Sequence, residues 1–106
     1  MDIIKWLESW YKLNCDGDWE HSYGVKIETI DNPGWSVKID LVDTLLENVH
    51  IEYSLIETSE TDWYGYSIKN SIFNAAGDPT KLLFLIELFK SIVEEYDTVY
   101  VSKLLE

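Results

Sequence analysis

The chain has 106 residues, of which 46% are hydrophobic and 14% aromatic. This length and composition predict a single domain over residues 1–106 and exclude intrinsic disorder. Eight cations, all of them lysine, stand against 20 carboxylates and give a formal charge of -12, so a nucleic-acid-binding surface is excluded and basic proteins are the expected partners.

The first predicted element is an amphipathic helix over residues 2–14. Its apolar residues recur at helical spacing, at Ile3, Ile4, Leu7, Trp10 and Tyr11. Asp2 is the expected N-cap, because its carboxylate can accept a hydrogen bond from a free N–H group of the first turn. A polar loop that contains glycine is expected to follow over residues 14–22.

Alternation of apolar and polar residues then predicts four antiparallel strands in a meander. They are expected at residues 23–28, 35–41, 49–56 and about 63–69. A type II turn should join the first two strands, with Pro33 at the first central position and Gly34 at positive φ in the second. In the third strand, the residues expected to face inward are Val49, Ile51, Tyr53 and Leu55.

Asp78 and Pro79 predict the start of a second helix, with the carboxylate as N-cap and proline at the first helical position. Residues 98–101 are expected to form either a short last strand or an extended cover. The predicted fold class is therefore α+β: an N-terminal helix, a four-stranded antiparallel meander and a C-terminal helix, with the helices packed on one sheet face. That packing is required by a broad apolar stripe on the second helix, formed by Leu82, Leu85, Ile86, Phe89, Ile92, Val93 and Tyr96.

The sequence indicates neither a membrane protein nor a disulfide scaffold. The longest apolar run, residues 82–86, is far shorter than the roughly 20 residues that span a bilayer, and the N-terminus reads as an amphipathic helix rather than a signal peptide. Cys15 is the only cysteine, so no intrachain disulfide can form. A cytoplasmic protein without a membrane partner or a cofactor is expected.

The acidic loop at residues 16–21 allows two interpretations. Oxygen ligands at every second position could converge on a hard cation such as calcium. An EF-hand loop starting at Asp16 would need glycine at its sixth position and glutamate at its twelfth, where this chain has His21 and Ile27. We therefore favour a solvated loop or a partner contact over a metal site.

No complete catalytic set is evident in the sequence. His21 and His50 could act as general bases near neutral pH. The chain has no arginine, no glycine-rich phosphate loop and no nucleophile elbow, and Cys15 has no partner in a recognisable motif. We therefore expect that this protein is not an enzyme.

A second acidic segment, residues 40–62, contains seven carboxylates and no lysine. It leads directly into Trp63 and Tyr64, and rings of this kind are typical interface anchors that nearby carboxylates help a basic partner to reach. A solvated surface and a partner-binding face both remain open for this segment. Two contact groups are predicted: the first is Asp16, Asp18, Trp19, Glu20 and His21, and the second is Trp35, Glu60, Asp62 and Trp63.

Nearly the whole chain resembles a known family. Residues 2–11, residues 15–27 with their Asp-Trp-Glu-His block, and residues 29–41 with their Asn-Pro-Gly-Trp turn are similar to the immunity protein 53 family of bacterial polymorphic toxin systems. A second glycine that the family pattern leads us to expect near Ala75 is absent. Further similar positions are Asp62, Trp63, Phe73, Gly77, Asp78 and Pro79.

The resemblance implies a small cytoplasmic antidote, not an enzyme, that binds a cognate toxin and blocks it. A basic active cleft, such as that of a nuclease, would suit the acidity of the chain. Two alternatives stay open: a small metal-binding or hydrolytic module built on Asp16, Asp18, Glu20 and His21, and an acidic adaptor for another basic protein.

Overall fold

A computed structural model describes residues 2–96 of the chain, and the strand or cover expected at residues 98–101 lies outside them. The helices are α1 (Ile3–Asn14), α2 (Trp19–Ser22) and α3 (Leu82–Tyr96). The strands are β1 (Val25–Ile30), β2 (Gly34–Asp40), β3 (Ile51–Ser59), β4 (Asp62–Lys69) and β5 (Ile72–Gly77). They form an antiparallel sheet in the order β1-β2-β5-β4-β3, so the predicted α+β class is confirmed.

The prediction of a four-stranded meander is wrong, because the described residues form five strands. The additional strand, β5, lies at the centre of the sheet, where Ala75 pairs with Val37 of β2 and with Tyr66 of β4. Its sequence, Ile-Phe-Asn-Ala-Ala-Gly, is poor in the β-branched and aromatic residues that favour strands. Neighbours on both sides hydrogen-bond its backbone, and this tertiary context outweighs the weak local preference.

The core lies between one face of the sheet and the helices α1 and α3. Trp6 and Trp10 of α1 contact Phe89 of α3 edge-on, with ring centroids 5.9 and 5.0 Å apart. Such aromatic pairs add about 0.5–1.5 kcal/mol each beyond the burial of their area. The sheet contributes buried residues from its central strands: Val37, Ile39, Ile68, Phe73 and Ala75.

The predicted N-terminal helix is confirmed, including its cap. Asp2 accepts a hydrogen bond from the N–H of Ile4 at 2.7 Å, which satisfies one of the free donors of the first turn. The opposite face of the sheet is not covered by either long helix. It carries the alternate residues of each strand, among them Lys38 of β2 and its cross-strand partner Asn74 of β5, and we call it the open face.

The turn between β1 and β2 differs from the predicted type II turn. The Asn32–Pro33 peptide bond is cis. Gly34 is the first residue of β2, and its φ is not positive. Glycine is needed at position 34 for a steric reason instead. A Cβ atom there would lie 2.3 Å from the carbonyl oxygen of Gly77 in β5, which is closer than any side chain can approach a backbone atom.

Gly34→Ala is expected to lower the free energy of unfolding by about 1–3 kcal/mol, because β2 and β5 must separate to admit the methyl group. Gly24→Ala is the matched control, since a Cβ at position 24 would meet only Tyr11 Cε1 at 4.0 Å. Urea unfolding followed by circular dichroism measures both variants. Equal stability of the two would contradict the steric role of Gly34.

The third strand presents different residues to the core than predicted. Ile51 pairs with Ile68, but the next registered pair is Ser54 with Tyr66, so β3 contains one more residue than β4 over this stretch. An extra residue of this kind is a β-bulge, and it reverses which side chains face the core. Val49 and Ile51 pack against the core as predicted, whereas Tyr53 and Leu55 are 60% and 53% exposed, and the prediction that they face inward is wrong.

Candidate functional site

A groove lies on the open face of the sheet at the end where β3 turns into β4. Its volume is about 460 Å³, and we call it the Trp63 groove. Strand β3, strand β4, the turn between them and the turn between β1 and β2 all contribute side chains to it. The lining residues are Asn32, Tyr53, Leu55, Glu57, Glu60 and Trp63.

The floor of the Trp63 groove depends on a glycine in β4. Leu55 is registered opposite Gly65, and a Cβ atom at Gly65 would lie 2.6 Å from Tyr53 Oη and 3.0 Å from Tyr53 Cζ. The Tyr53 ring can therefore lie against the strand only because residue 65 has no side chain. The bulge in β3 and Gly65 together place an aromatic ring beside Trp63 on the open face.

The Trp63 groove combines aromatic rings with uncompensated negative charge. Glu57 is registered directly opposite Trp63, and Glu60 lies in the adjoining turn. Neither glutamate forms an ion pair with another residue of the described part of the chain, residues 2–96. A cationic side chain suits such a site, because it is attracted both by carboxylates and by the faces of aromatic rings.

A buried carboxylate holds the backbone of Trp63 in place. Asp78 is 0% exposed, and its Oδ2 accepts hydrogen bonds from the Trp63 N–H at 2.9 Å and from Lys81 Nζ at 2.8 Å. Its Oδ1 accepts from the Thr80 N–H and hydroxyl, at 2.8 and 2.6 Å. Lys81 Nζ also donates to Asp62 at 2.7 Å. The first residues of β4 are thereby fixed to the segment that precedes α3.

The same carboxylate explains why α3 begins later than predicted. Asp78 accepts from the Thr80 N–H as a cap would, but the Lys81 N–H bonds to the Asp78 carbonyl at 3.0 Å and closes a turn. The helix begins at Leu82, so the predicted start at Pro79 is wrong. The segment from Asp78 to Lys81 forms a turn because its side chains bond to β4 and to one another.

The charges around this buried carboxylate stabilise one another. Lys81 and Thr80 hold the pKa of Asp78 well below its usual range. Lys81, followed by the Thr58 hydroxyl, lowers the pKa of Asp62, and the two carboxylates, Asp62 first, raise the pKa of Lys81. All three groups are charged at neutral pH, and Lys81 is engaged with Asp62 and Asp78 rather than with the groove glutamates.

The acidic loop that forms the first predicted contact group lies at the opposite end of the sheet. Trp19 Nε1–H donates to the carbonyl of Val42 at 2.8 Å, just beyond the last residue of β2, whereas Asn32 of the Trp63 groove lies just before its first residue. β2 has seven residues, so these ends are roughly 20 Å apart. The structure does not bring the two predicted groups together.

Two carboxylates of the acidic loop bond to its own backbone. Asp16 Oδ1 accepts from the N–H groups of Asp18 and Trp19, both at 2.9 Å, and these bonds, that from Trp19 first, lower the pKa of Asp16. The Glu20 carboxylate accepts from the N–H groups of residues 16 and 17. Asp18 and His21 are exposed. In the described part of the chain, no three His, Cys, Asp or Glu side chains are arranged to hold a metal ion.

Two of the predicted contact tryptophans pack on the side of the sheet that the helices cover. Trp19 is 3% exposed and meets Trp10 edge-on, with ring centroids 6.1 Å apart. Trp35 is half-buried against the core and donates from Nε1 to the carbonyl of Pro79 at 3.0 Å. Of the second predicted group, Glu60 and Trp63 line the groove and Asp62 pairs with Lys81.

A family model described as immunity protein 53 matches residues 4–94. The match covers most of the chain and includes both predicted contact groups. The chain belongs to the immunity protein 53 family. Comparison with curated proteins gave no significant match, and comparison with solved structures gave none either.

Membership of the immunity protein 53 family gives toxin neutralisation as the general role, and such proteins are typically not enzymes. Among residues 2–96, no helix is both long enough and apolar enough to cross a membrane.

The sequence analysis misses four of the residues that line the Trp63 groove in this immunity protein: Asn32, Tyr53, Leu55 and Glu57. The alternation in residues 49–55 directs Tyr53 and Leu55 inward, and a bulge has no signature in so short a pattern. One signal was available, because β3 carries glutamates at positions 52 and 57. Charged residues of this kind are frequent on exposed edge strands.

Proposed function

We propose that this immunity protein binds its cognate toxin through the Trp63 groove and blocks a basic active cleft of that toxin, as in a nuclease. The observation that carries the proposal is the position of exposed Tyr53 beside Trp63, with Glu57 and Glu60 on the same rim. Aromatic residues in pockets contribute most of the binding energy in many interfaces. A lysine or arginine of the toxin that enters the groove would contact the rings, and the glutamates would balance its charge.

Asp62 and the acidic loop are proposed to contribute in other ways. Asp62 lies at the edge of the groove but is paired with Lys81, so it adds to the negative field more than to direct contact. Asp16, Asp18, Glu20 and His21 form a second acidic surface that only a toxin extending along the sheet would reach. The proposed contact surface leaves out Trp19 and Trp35, because both pack against the core.

Co-expression with the toxin domain encoded beside this gene tests the proposal. The wild-type protein is expected to restore growth and to copurify with the toxin. Failure of the folded wild-type protein to rescue growth or to form a complex would contradict direct neutralisation of that toxin.

Charge reversal tests whether the Trp63 groove is the toxin-binding surface of the immunity protein. Glu57→Lys with Glu60→Lys is expected to slow association with the toxin about tenfold and to make the rate less dependent on salt, since rim charges act mainly through steering. Glu87→Lys with Glu95→Lys is the matched control, because it changes the net charge equally at exposed positions of α3. Stopped-flow measurements at several salt concentrations compare the association rates of the two double variants. Equal slowing in both would contradict toxin binding at the Trp63 groove.

A further inference from the structure

Strand β1 forms one edge of the sheet and pairs with β2 alone among residues 2–96. The Asp40 N–H donates to the Gly24 carbonyl at 3.0 Å, so the even-numbered residues of this segment direct their backbone groups towards β2. In an antiparallel ladder the alternate residues then direct their N–H and C=O groups outward. Val25, Ile27 and Thr29 therefore present regularly spaced donors and acceptors along the free edge.

The two edges of the sheet differ in their ability to accept another strand. β3, the other edge, shifts register between Ile51 and Ser54 and again between Glu57 and Ser59. Bulges of this kind interrupt the regular ladder and protect edges against pairing. The register of β1 with β2 has no such shift from Val25 to Ile30, so β1 is the regular edge.

An apolar groove of about 480 Å³ lies between α1 and the start of β1, on the side that the helices cover. Ile4 of α1 is 52% exposed, and Ile27, which shares this side with Val37, is 40% exposed. Apolar surface beside an open sheet edge is typical of an interface. The residues that line the groove are Ile4, Leu7, Glu8, Tyr11, Tyr23, Gly24 and Val25.

We propose that a second copy of this chain covers this edge, with the two β1 strands antiparallel about a two-fold axis at Ile27. Ile27 then faces Ile27 of the other copy and Val25 faces Thr29, and all of these residues have outward backbone groups that can form hydrogen-bonded pairs. The two sheets join into one, and both pairs of long helices lie on the same side. An interface of this type uses the same surface on both copies.

Charge complementarity selects this register. On either side of Ile27, Lys26 of one copy lies opposite Glu28 of the other, in non-hydrogen-bonded pairs where side chains are closest. Within one chain the Lys26 Nζ lies 3.3 Å from a Glu28 carboxylate oxygen, so both groups already lie on the open face. The dimer exchanges the two intrachain contacts, one in each copy, for two contacts between copies.

Charge-swap variants of the full chain test the dimer by sedimentation velocity. The wild-type protein is expected to dimerise at micromolar concentration, and Lys26→Glu or Glu28→Lys alone should each weaken the dimer at least about tenfold, since each places like charges opposite each other twice. The double variant with both substitutions should dimerise as the wild type does. An equimolar mixture of the two single variants should form a heterodimer, because each carries the charge that the other needs.

The two single variants change the net charge in opposite directions, so an effect of overall charge would move their dimerisation in opposite directions. A wild-type protein that stays monomeric up to roughly 100 μM, or single variants that dimerise as well as the wild type, would overturn the proposal. The proposal is independent of toxin binding, because none of the substituted residues lines the Trp63 groove.

Discussion

Replacement of Trp63 by alanine is expected to weaken the toxin complex about 30-fold or more, with the fold intact. Loss of a central tryptophan from an interface typically raises the free energy of binding by about 2 kcal/mol or more, which corresponds to this factor. The bond from the residue 63 N–H to Asp78 survives the substitution, because it involves only the backbone. Isothermal titration calorimetry with the toxin domain measures the dissociation constant.

Leu83→Ala is the matched control for this prediction. Leu83 is 54% exposed on α3, away from the Trp63 groove, so its truncation is expected to leave the affinity unchanged. Tyr53→Ala should weaken binding in the same direction as Trp63→Ala, since both rings line the groove. Wild-type affinity in both groove variants, with loss of affinity in Leu83→Ala, would place the interface on α3 instead.

Asp78→Asn is expected to lower the Tm at pH 7 by about 10 °C or more. The carboxylate of Asp78 accepts from four donors, whereas an amide directs its own N–H groups at two of these. Lys81 would also lose the charge of its buried partner and keep the more exposed Asp62 as its remaining carboxylate contact, which weakens a charge-assisted hydrogen bond. Thermal unfolding followed by circular dichroism measures the change.

The charges of Asp78, Asp62 and Lys81 make the stability of the folded protein depend on pH. The pKa values of Asp78 and Asp62 are lowered in the folded state. Their contribution to the free energy of unfolding is therefore complete above the unfolded pKa near 4 and is lost as the pH falls below it. The pKa of Lys81 is raised, so its contribution is complete below its unfolded pKa of about 10.4 and is lost as the pH rises through the higher folded value. Wild-type stability should therefore decline in acid and in strong base.

The acid decline should be shallower in Asp78→Asn than in the wild type, because the variant lacks the carboxylate with the strongly lowered pKa. Asp62→Asn is the matched control: Asp62 shares Lys81 with Asp78 but its side chain is 58% exposed, so its effect on the Tm should be smaller. Melting curves between about pH 2 and pH 8 compare the three proteins. The same Tm and acid slope in both variants would contradict the special role of Asp78.

The elements that were predicted correctly depend on local contacts. The first helix and its Asp2 cap involve residues that are close in sequence, so periodicity and capping chemistry suffice to place them. The sequence pattern does not predict β5, because its small residues have little intrinsic preference for a strand. Its place between β2 and β4 depends on partners that lie far away in the chain.

The residues of the candidate site also differ in whether local sequence is enough to predict them. Glu60 and Trp63 were found because acid next to tryptophan can be recognised within a few residues. The alternation of residues places Tyr53 on the wrong face, because a single extra residue in β3 reverses it. Trp19 has acidic neighbours in sequence, but its ring packs on Trp10 and Tyr11.

Composition, periodicity and distinctive short blocks of residues are enough to predict the α+β class, the amphipathic helices, the excess of negative charge and the family. The pairing of each carboxylate and the exposure of each aromatic ring depend instead on the tertiary structure. Asp78 reaches Trp63 across 15 positions of the chain, and Lys81 reaches Asp62 across 19. Contacts between residues so far apart in the chain depend on strand order and register. Long-range packing specifies both, and a local pattern of residues does not contain them.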